Sequence, residues 1–285
     1  MTRPPGAPSG TPSSTSPCVL LLQAPLTLKP EDVSTFGLFP PLGLAYLAAT
    51  LEKSGIPVCI ADLLAEGVNR QTHLPNGNIR IGLTDEEIRA RLRSLQPLVV
   101  GITHNFTSFA EDCLRLARLV REILPETLIV MGGAAAVADI DGLLSEGFVD
   151  VIVIGEGELV FCHLVQTIVA GKPAEAKGIA GTAWYDTSSD KLIKNPPPPP
   201  LSNLDELPFP AYHLLPMDLY IHQRHANFAF ARRYPVGHMI TTRGCPYNCI
   251  FCSTSKHFKF FRKRSVTNIL AEMRLLKDHH GIHEF

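Results

Sequence analysis

The sequence predicts an α/β protein whose first part is a doubly wound parallel sheet. Five short apolar runs alternate with helical patterns between residues 18 and 170. Apolar strands separated by helices are typical of parallel sheets that are covered on both faces. Hydrophobic residues form 45% of the 285 positions, which is enough to fill a large core. A proline-rich stretch follows and separates this part from a second strand–loop–helix segment.

The predicted elements of the first part follow one another in regular order. The strands are expected at residues 18–24, 56–62, 98–103, 127–133 and 149–155. The first helix, 41–55, ends at Gly55. Thr84 and Ser108 each precede a glutamate by three residues, the spacing of a capping box, so a helix is predicted to begin at each. A last helix runs from about 156 to 170.

A hairpin and a stiff connector are predicted after the sheet. Residues 178–195 have the pattern of a small hairpin, and residues 196–216 are rich in proline and therefore extended. The predicted organisation is a disordered tail at 1–17, a first domain at 18–175, a hairpin and linker at 176–230, and the start of a second domain at 231–285.

The second domain begins with a predicted strand, loop and helix. Residues 236–244 are predicted to form a strand, and residues 265–281 a helix that ends at Gly281. One face of this helix is predicted to be apolar, and it carries Val266, Ile269, Leu270 and Met273. Residues 282–285 have the pattern of another strand, so the segment resembles the start of a βαβ repeat.

Charge and composition exclude several classes of protein. The net charge of −1 provides no global basic field for nucleic acid. No run reaches the ~18 apolar residues of a membrane span, and the polar start lacks the apolar stretch of a signal peptide. We therefore expect a cytoplasmic protein. A local basic run is either a solvated surface or an anion site, and it comprises Lys256, Lys259, Arg262, Lys263 and Arg264.

Three of the seven cysteines lie within eight positions, as Cys245, Cys249 and Cys252. In a reducing compartment such clustering indicates metal or redox chemistry. A zinc site needs four ligands, and His238 or His257 is available as the fourth, but the second cysteine pair of most zinc sites is missing. The remaining cysteines are expected to be small core residues, and they are Cys18, Cys59, Cys113 and Cys162.

The stretch "RGCPYNCIFCS", followed by "FFRKRSVTNILAEMRLL", resembles the radical S-adenosylmethionine (radical SAM) superfamily. The resemblance implies that Cys245, Cys249 and Cys252 hold a 4Fe–4S cluster whose fourth iron binds S-adenosylmethionine. It also implies that Phe251 lies near the adenine, or fills the barrel core, and that an electron donor such as flavodoxin or ferredoxin reduces the cluster. The second domain is then the first βα unit of an incomplete (β/α) barrel.

The strand ends of the first domain carry the candidate ligand contacts, because open α/β sheets bind ligands at that edge. The candidates are Thr103, Asn105, Gly132, Gly133, Gly155 and Glu156. On their own they indicate an unspecified ligand site, or glycines that serve tight turns. The segments "PPLGLAYLAATLEKSG", "VVGITHNFTSF", "VMGGAAA" and "DVIVIGEGE" resemble the Rossmann-like cobalamin-binding domain that precedes many radical SAM domains. The resemblance implies that these candidates contact cobalamin.

Two features depart from the pattern of cobalamin proteins. Residues 134–136 are alanines where the family usually has Pro-His after the glycines, and no D-x-H-x-x-G motif supplies a histidine to cobalt. His104 follows a strand end, so it either approaches the ligand or is a surface loop histidine.

The resemblance implies a cobalamin-dependent radical SAM enzyme that methylates an unactivated carbon of a small molecule. Two alternatives remain open. One is a radical SAM enzyme of another reaction type, such as cyclisation or rearrangement, with a degenerate first domain. The other is an inactive, truncated cobalamin-binding fragment, because the chain supplies one βα unit of the barrel and the start of a second. The chain alone is therefore expected to be incomplete as an enzyme.

Overall fold

The computed structural model describes residues 19–221, 231–252 and 260–285. The tail predicted for residues 1–17 and the core role predicted for Cys18 lie outside these ranges, as do His257, Lys256 and Lys259.

The described residues form twelve strands and nine α-helices. The strands are β1 (Val19–Gln23), β2 (Leu26–Leu28), β3 (Val58–Asp62), β4 (Gln71–His73), β5 (Ile79–Ile81), β6 (Val99–Thr103), β7 (Leu128–Gly132), β8 (Val151–Val153), β9 (Thr182–Asp186), β10 (Lys191–Lys194), β11 (Thr242–Arg243) and β12 (Arg262–Lys263). The helices are α1 (Leu42–Lys53), α2 (Asp85–Leu95), α3 (Ala110–Ile123), α4 (Ala134–Ala138), α5 (Ile140–Ser145), α6 (Gly157–Val169), α7 (Pro173–Ala176), α8 (Met217–Ile221) and α9 (Val266–His280).

The main sheet confirms the five predicted parallel strands and extends beyond them. Its order is β10-β9-β8-β7-β6-β1-β3. The pairs from β3 to β8 are parallel, and the predicted hairpin β9–β10 adds two antiparallel strands beside β8. The sheet is therefore mixed, and the hairpin predicted as part of the linker shares it.

Alternate residues of each strand face opposite helical layers, as the pleat requires. In β1, Val19 and Leu21 pack with α1 and α6, whereas Leu20 and Leu22 pack with α2 and α3. All four side chains are at most 2% exposed. Burial on both faces explains why these strands are continuous apolar runs in the sequence.

A small antiparallel sheet was not predicted from the sequence. It has the order β2-β5-β4, and β4 and β5 lie between the strand predicted at 56–62 and the helix predicted to begin at Thr84. These strands are three residues long, and β4 is fully exposed. Such short strands lack the alternation that identifies a strand in sequence.

The two predicted capping boxes differ in outcome. At Thr84 the box is present, because its side chain accepts from the Glu87 amide while Glu87 bonds back to Thr84. The box predicted at Ser108 is wrong. A 3₁₀ turn spans Thr107–Phe109, and α3 begins at Ala110 without a side-chain cap.

The predicted stiff connector is extended only in its first part. Residues 204–221 instead fold into two 3₁₀ turns and α8. Tyr212, Leu215 and Tyr220 are buried in a core shared with the small sheet and with Leu276 of α9. The linker residues therefore pack between the small sheet and the C-terminal segment.

The strand predicted at 236–244 is wrong in extent. Within it, Thr242–Arg243 pairs antiparallel with β12, and Val236 forms a parallel bridge to Glu284. That bridge agrees with the predicted start of a strand at 282–285. The helix at 265–281 is confirmed as α9, with Ser265 as N-cap and a left-handed Gly281 at its end.

The apolar face of α9 is not the face that is most deeply buried. Val266 is 71% exposed and Leu270 is 44% exposed, whereas Glu272 and Leu276 are buried. Glu272 is stable on the buried face because Arg264, just before the helix, pairs with it and the Tyr212 hydroxyl of the linker donates to it. Among the described residues, no helix is both long enough and apolar enough to cross a membrane.

Candidate functional site

A cavity of about 370 Å³ lies at the carboxyl edge of the main sheet. The strand order reverses between β1 and β6, and such a reversal leaves a crevice at the strand ends. All six predicted ligand contacts line this cavity: Thr103, Asn105, Gly132, Gly133, Gly155 and Glu156. The structure thus brings them together, while their contact with cobalamin stays a prediction.

Gly133 cannot carry a side chain without disturbing the cavity floor. Its φ is +114°, and an added Cβ would lie 2.5 Å from both the His104 carbonyl oxygen and the Asn105 Oδ1 atom. The Asn105 amide in turn donates to Thr103 Oγ1 at 3.1 Å. The absence of a side chain at Gly133 therefore lets two strand-end loops meet.

Several further lining residues were not predicted. Helix α1 contributes Gly43, Leu44 and Leu47, and α6 contributes Phe161. The "PPLG" start of α1 was a signal for these residues, since it belongs to the stretch that resembles cobalamin-binding domains.

The second domain also contributes to the cavity wall. Ile240, Arg243 and Gly244 line it opposite the sheet edge. Their position depends on how the C-terminal segment packs on the first domain, and local sequence patterns carry no information about that packing. Gly244 directly precedes Cys245, so the cysteine loop begins at the cavity wall.

A second cavity of about 760 Å³ adjoins the first one. The two share Gly155, Glu156 and Glu158. The second is walled by the proline stretch at residues 197–200 and by Phe260. Together they provide a largely apolar space beside the glycines, which fits a bulky planar ligand such as a corrin.

His104 is not a surface loop histidine, and it is not a lining residue either. Its side chain is 3% exposed, and the flanking Thr103 and Asn105 line the cavity in its place. Burial lowers the pKa of the imidazole, so it is neutral at pH 7. The surface interpretation of His104 is therefore wrong, and its approach to a ligand stays a prediction.

Two arginine–glutamate pairs cross from the second domain to the start of α6. Arg262 holds the Glu156 carboxylate with both terminal nitrogens, one of them at 3.0 Å. Arg243 Nη2 donates to Glu158 Oε1 at 2.6 Å, and its guanidinium lies 5.0 Å from the ring centre of Tyr46 in α1.

A buried polar cluster lies behind these pairs. Arg264 forms an ion pair with Glu272, and the Tyr212 hydroxyl donates to Glu272 Oε1 at 2.5 Å. Arg264 also donates to the Tyr46 hydroxyl at 3.3 Å. Burial raises the pKa of Tyr46 to about 12, so it stays neutral. Arg262 and Arg264 are therefore neither solvated surface residues nor a free anion site, because both pair with glutamates of this chain.

The three cysteines lie on an exposed loop. Cys249 and Phe251 are exposed, the latter by 89%, while Cys245 and Cys252 are half-buried. Among the described residues, no three or more His, Cys, Asp or Glu side chains lie close enough together to hold a metal ion. His238 belongs to no such group.

The donor set nevertheless fits an iron–sulfur cluster by its chemistry. Thiolates are the protein ligands of such clusters, and this turn carries three. The Cys252 amide donates to the Cys249 carbonyl at 3.1 Å, which makes the turn compact. The role predicted for Phe251 stays a prediction. Cys113 and Cys162 are buried as predicted, and Cys59 is half-buried against the core.

Comparison with known families and proteins gives matches over this architecture. The B12 binding domain family model matches residues 33–165. An uncharacterized methyltransferase PH0819 of Pyrococcus horikoshii is 36% identical over 247 residues, covering 86% of this chain and 47% of the relative. Cytidylyl-2-hydroxyethylphosphonate methyltransferase of Streptomyces wedmorensis is 32% identical over 290 residues, covering 94% of this chain and 53% of the relative.

A solved structure shows the same fold. TsrM from Kitasatospora setae, a radical S-adenosylmethionine methyltransferase with cobalamin and a [4Fe-4S] cluster bound, matches with a TM-score of 0.63 and 19% identity. The match covers 94% of this chain and 47% of that one. This chain thus spans about half the length of the proteins it resembles.

Proposed function

We propose that this chain belongs to the family of radical SAM proteins that carry a cobalamin-binding domain, and that it forms the cofactor-binding half of a methyltransferase. The substrate is proposed to be a small molecule with an unactivated carbon as the methyl acceptor. The observation that carries the proposal is the shared cavity. Its walls combine the six predicted strand-end contacts with Gly244, the residue before the first cysteine.

The cavity suits a planar macrocycle because its floor is backbone. Gly132, Gly133 and Gly155 expose main chain at the strand ends, so a flat ligand can approach closely. Leu47 and Phe161 close the apolar side and exclude water. These residues are proposed to hold cobalamin, and no histidine lines the cavity among the described residues.

The cysteine loop is proposed to hold the 4Fe–4S cluster with Cys245, Cys249 and Cys252. When bound, cluster and cobalamin supply reductive cleavage of S-adenosylmethionine and methyl transfer. The chain's own contribution is placement, because the loop leaves the cavity wall at Gly244. Both cofactors would then lie at the wall of one cavity, and exclusion of water from that cavity would suit radical chemistry.

The test is to reconstitute the chain anaerobically with iron and sulfide and then dialyse it against hydroxocobalamin. The proposal expects stoichiometric retention of cobalt, together with iron in an oxygen-sensitive, visibly absorbing cluster. Methyl transfer is tested separately on the longest natural form of the protein, with isotopically labelled S-adenosylmethionine. A folded chain that takes up zinc but neither iron nor cobalamin would overturn the proposal.

A further inference from the structure

The cysteine loop is closed at its base by a short two-stranded ribbon. The ribbon consists of β11 (Thr242–Arg243) paired with β12 (Arg262–Lys263). The Arg264 amide extends it by donating to the Thr241 carbonyl at 3.0 Å. Since the chain between residues 243 and 262 leaves from this ribbon and returns to it, the ribbon determines where the three cysteines lie.

Each strand of the ribbon carries an arginine that reaches the same turn of the first domain. Arg262 from β12 binds Glu156 in a bidentate manner, and Arg243 from β11 binds Glu158. Both glutamates belong to the start of α6, with Glu156 at its N-cap position. Both strands of the ribbon are thus attached to the same turn at the start of α6.

These pairs are shielded from water. The four side chains are 9–15% exposed. An ion pair with little exposure is screened weakly by salt, and removing one partner leaves the other charge desolvated and unpaired. Arg262 also donates to the Leu201 carbonyl at 2.7 Å, and Arg243 lies over the Tyr46 ring of α1. The ribbon therefore has several fixed partners on the first domain.

The carboxylate of Glu156 is occupied by these contacts. Both of its oxygens meet Arg262, and Arg243 lies 4.0 Å away. We propose that Glu156 and Glu158 are positioning residues, which hold the cysteine loop against the cavity through Arg262 and Arg243. The inference rests on the proposed function and refines it, because Glu156 then acts through arginine and not by direct contact with cobalamin.

Hydrogen exchange of the cofactor-free chain tests the attachment without any activity assay. In Glu156→Gln and in Arg262→Gln, exchange of the Arg264 amide should rise about tenfold, because the unpaired charge favours opening of the ribbon. The His104 and Ile154 amides, bonded within the sheet region, should exchange as in the wild type. The double variant leaves neither charge unpaired, so its exchange should rise less than in either single variant.

The matched control is Arg118→Gln, which removes an exposed arginine–glutamate pair from the same domain at Glu146. It should leave the Arg264 amide unchanged. Unchanged exchange in both ribbon variants would overturn the proposal. A rise spread equally over the sheet amides would do so too, because it would indicate general destabilisation.

Cobalamin dialysis separates this inference from the proposed function. If Glu156 acts through Arg262, Glu156→Gln and Arg262→Gln should change the affinity for hydroxocobalamin by the same factor, whereas loss of a direct charged contact would weaken binding about tenfold or more in Glu156→Gln alone. Tenfold weaker binding in Glu156→Gln with little change in Arg262→Gln would overturn the positioning role of Glu156. If the wild type binds no cobalamin, the proposed function fails while the exchange result still decides whether the ribbon is held by these pairs.

Discussion

The main sheet and the cysteine-bearing segment are held in place by different forces. The parallel strands lie between two apolar layers, and residues such as Leu21 and Ile129 are fully buried. The segment at 231–285 adds oriented ion pairs to apolar contacts: Leu276 shares a core with Tyr212, while Arg243 and Arg262 reach the carboxylates of Glu158 and Glu156. Hydrophobic burial is non-directional, whereas bidentate arginine pairs fix orientation. The sheet therefore provides the cavity, and the ion pairs orient the cysteine loop beside it.

The largest effect is expected from the cysteine loop. Replacing Cys245, Cys249 and Cys252 together by alanine should abolish iron uptake, because no thiolate of the loop remains. Cobalamin binding should persist, since the sheet edge is untouched. Metal analysis and visible absorption measure both outcomes. The control is Cys162→Ala, a buried thiol on α6 that should leave iron uptake intact. Full iron retention in the triple variant would contradict the account.

The second prediction concerns the buried pair behind the ribbon. Glu272→Gln leaves the Arg264 charge buried without its partner and should lower the free energy of unfolding by about 3 kcal/mol. Chemical denaturation measures it. Glu146→Gln, in an exposed pair, should cost less than about 1 kcal/mol. Equal costs for the two variants would show that burial of the Arg264–Glu272 pair adds nothing to the cost of breaking it.

Gly133 tests the sheet edge. Gly133→Ala combines a left-handed φ with a backbone clash and should cost about 3 kcal/mol and weaken cobalamin binding. Gly147 also has a positive φ, of +73°, but open space around it, so Gly147→Ala should cost about 1 kcal/mol with unchanged binding. If the two variants lose the same stability and bind cobalamin equally well, the close packing of Gly133 against Asn105 has no role.

The smallest effect concerns the contact between sheet and linker. Asp62, at the end of β3, accepts a hydrogen bond of 2.6 Å from Tyr220 of α8. Burial raises the pKa of this carboxyl from 3.8 to about 6, and the Tyr220 hydroxyl opposes that rise. Tyr220→Phe should therefore raise the pKa of Asp62 further, which carboxyl carbon NMR can measure. An unchanged or lower value would contradict this.

The same carboxyl predicts a dependence of stability on pH. Because the folded pKa lies above the unfolded one, Asp62 stabilises the fold below about pH 4, and that contribution is lost as pH rises through 6. The change is on the order of 3 kcal/mol. In Asp62→Asn this part of the pH dependence should vanish. A wild-type profile and a variant profile of identical shape would contradict the raised pKa.

The sequence was most informative where structure is local or periodic. Five buried strands, the Thr84 capping box and the α9 caps follow from apolar runs and from residue types at fixed spacing. The six cavity residues were predictable because strand ends of a parallel sheet meet at one edge.

Long-range packing explains what sequence reasoning missed. The buried face of α9 carries Glu272. It is stable there because Tyr212, 60 positions earlier in the chain, donates to it and Arg264 pairs with it. Likewise, the pairing of Arg262 with Glu156 joins residues 106 positions apart. Local patterns favoured a solvated or anion-binding basic run, because a pattern of residue types does not encode a distant partner.

The most direct test of the account is the position of cobalt. Crystals of the chain grown with hydroxocobalamin, measured at the cobalt absorption edge, should give an anomalous peak inside the cavity, between Gly133 and the Arg243–Gly244 wall. Stoichiometric cobalamin located anywhere else on the chain, or crystals that exclude it while the cavity stays open, would contradict the central claim that this sheet edge is the cobalamin site.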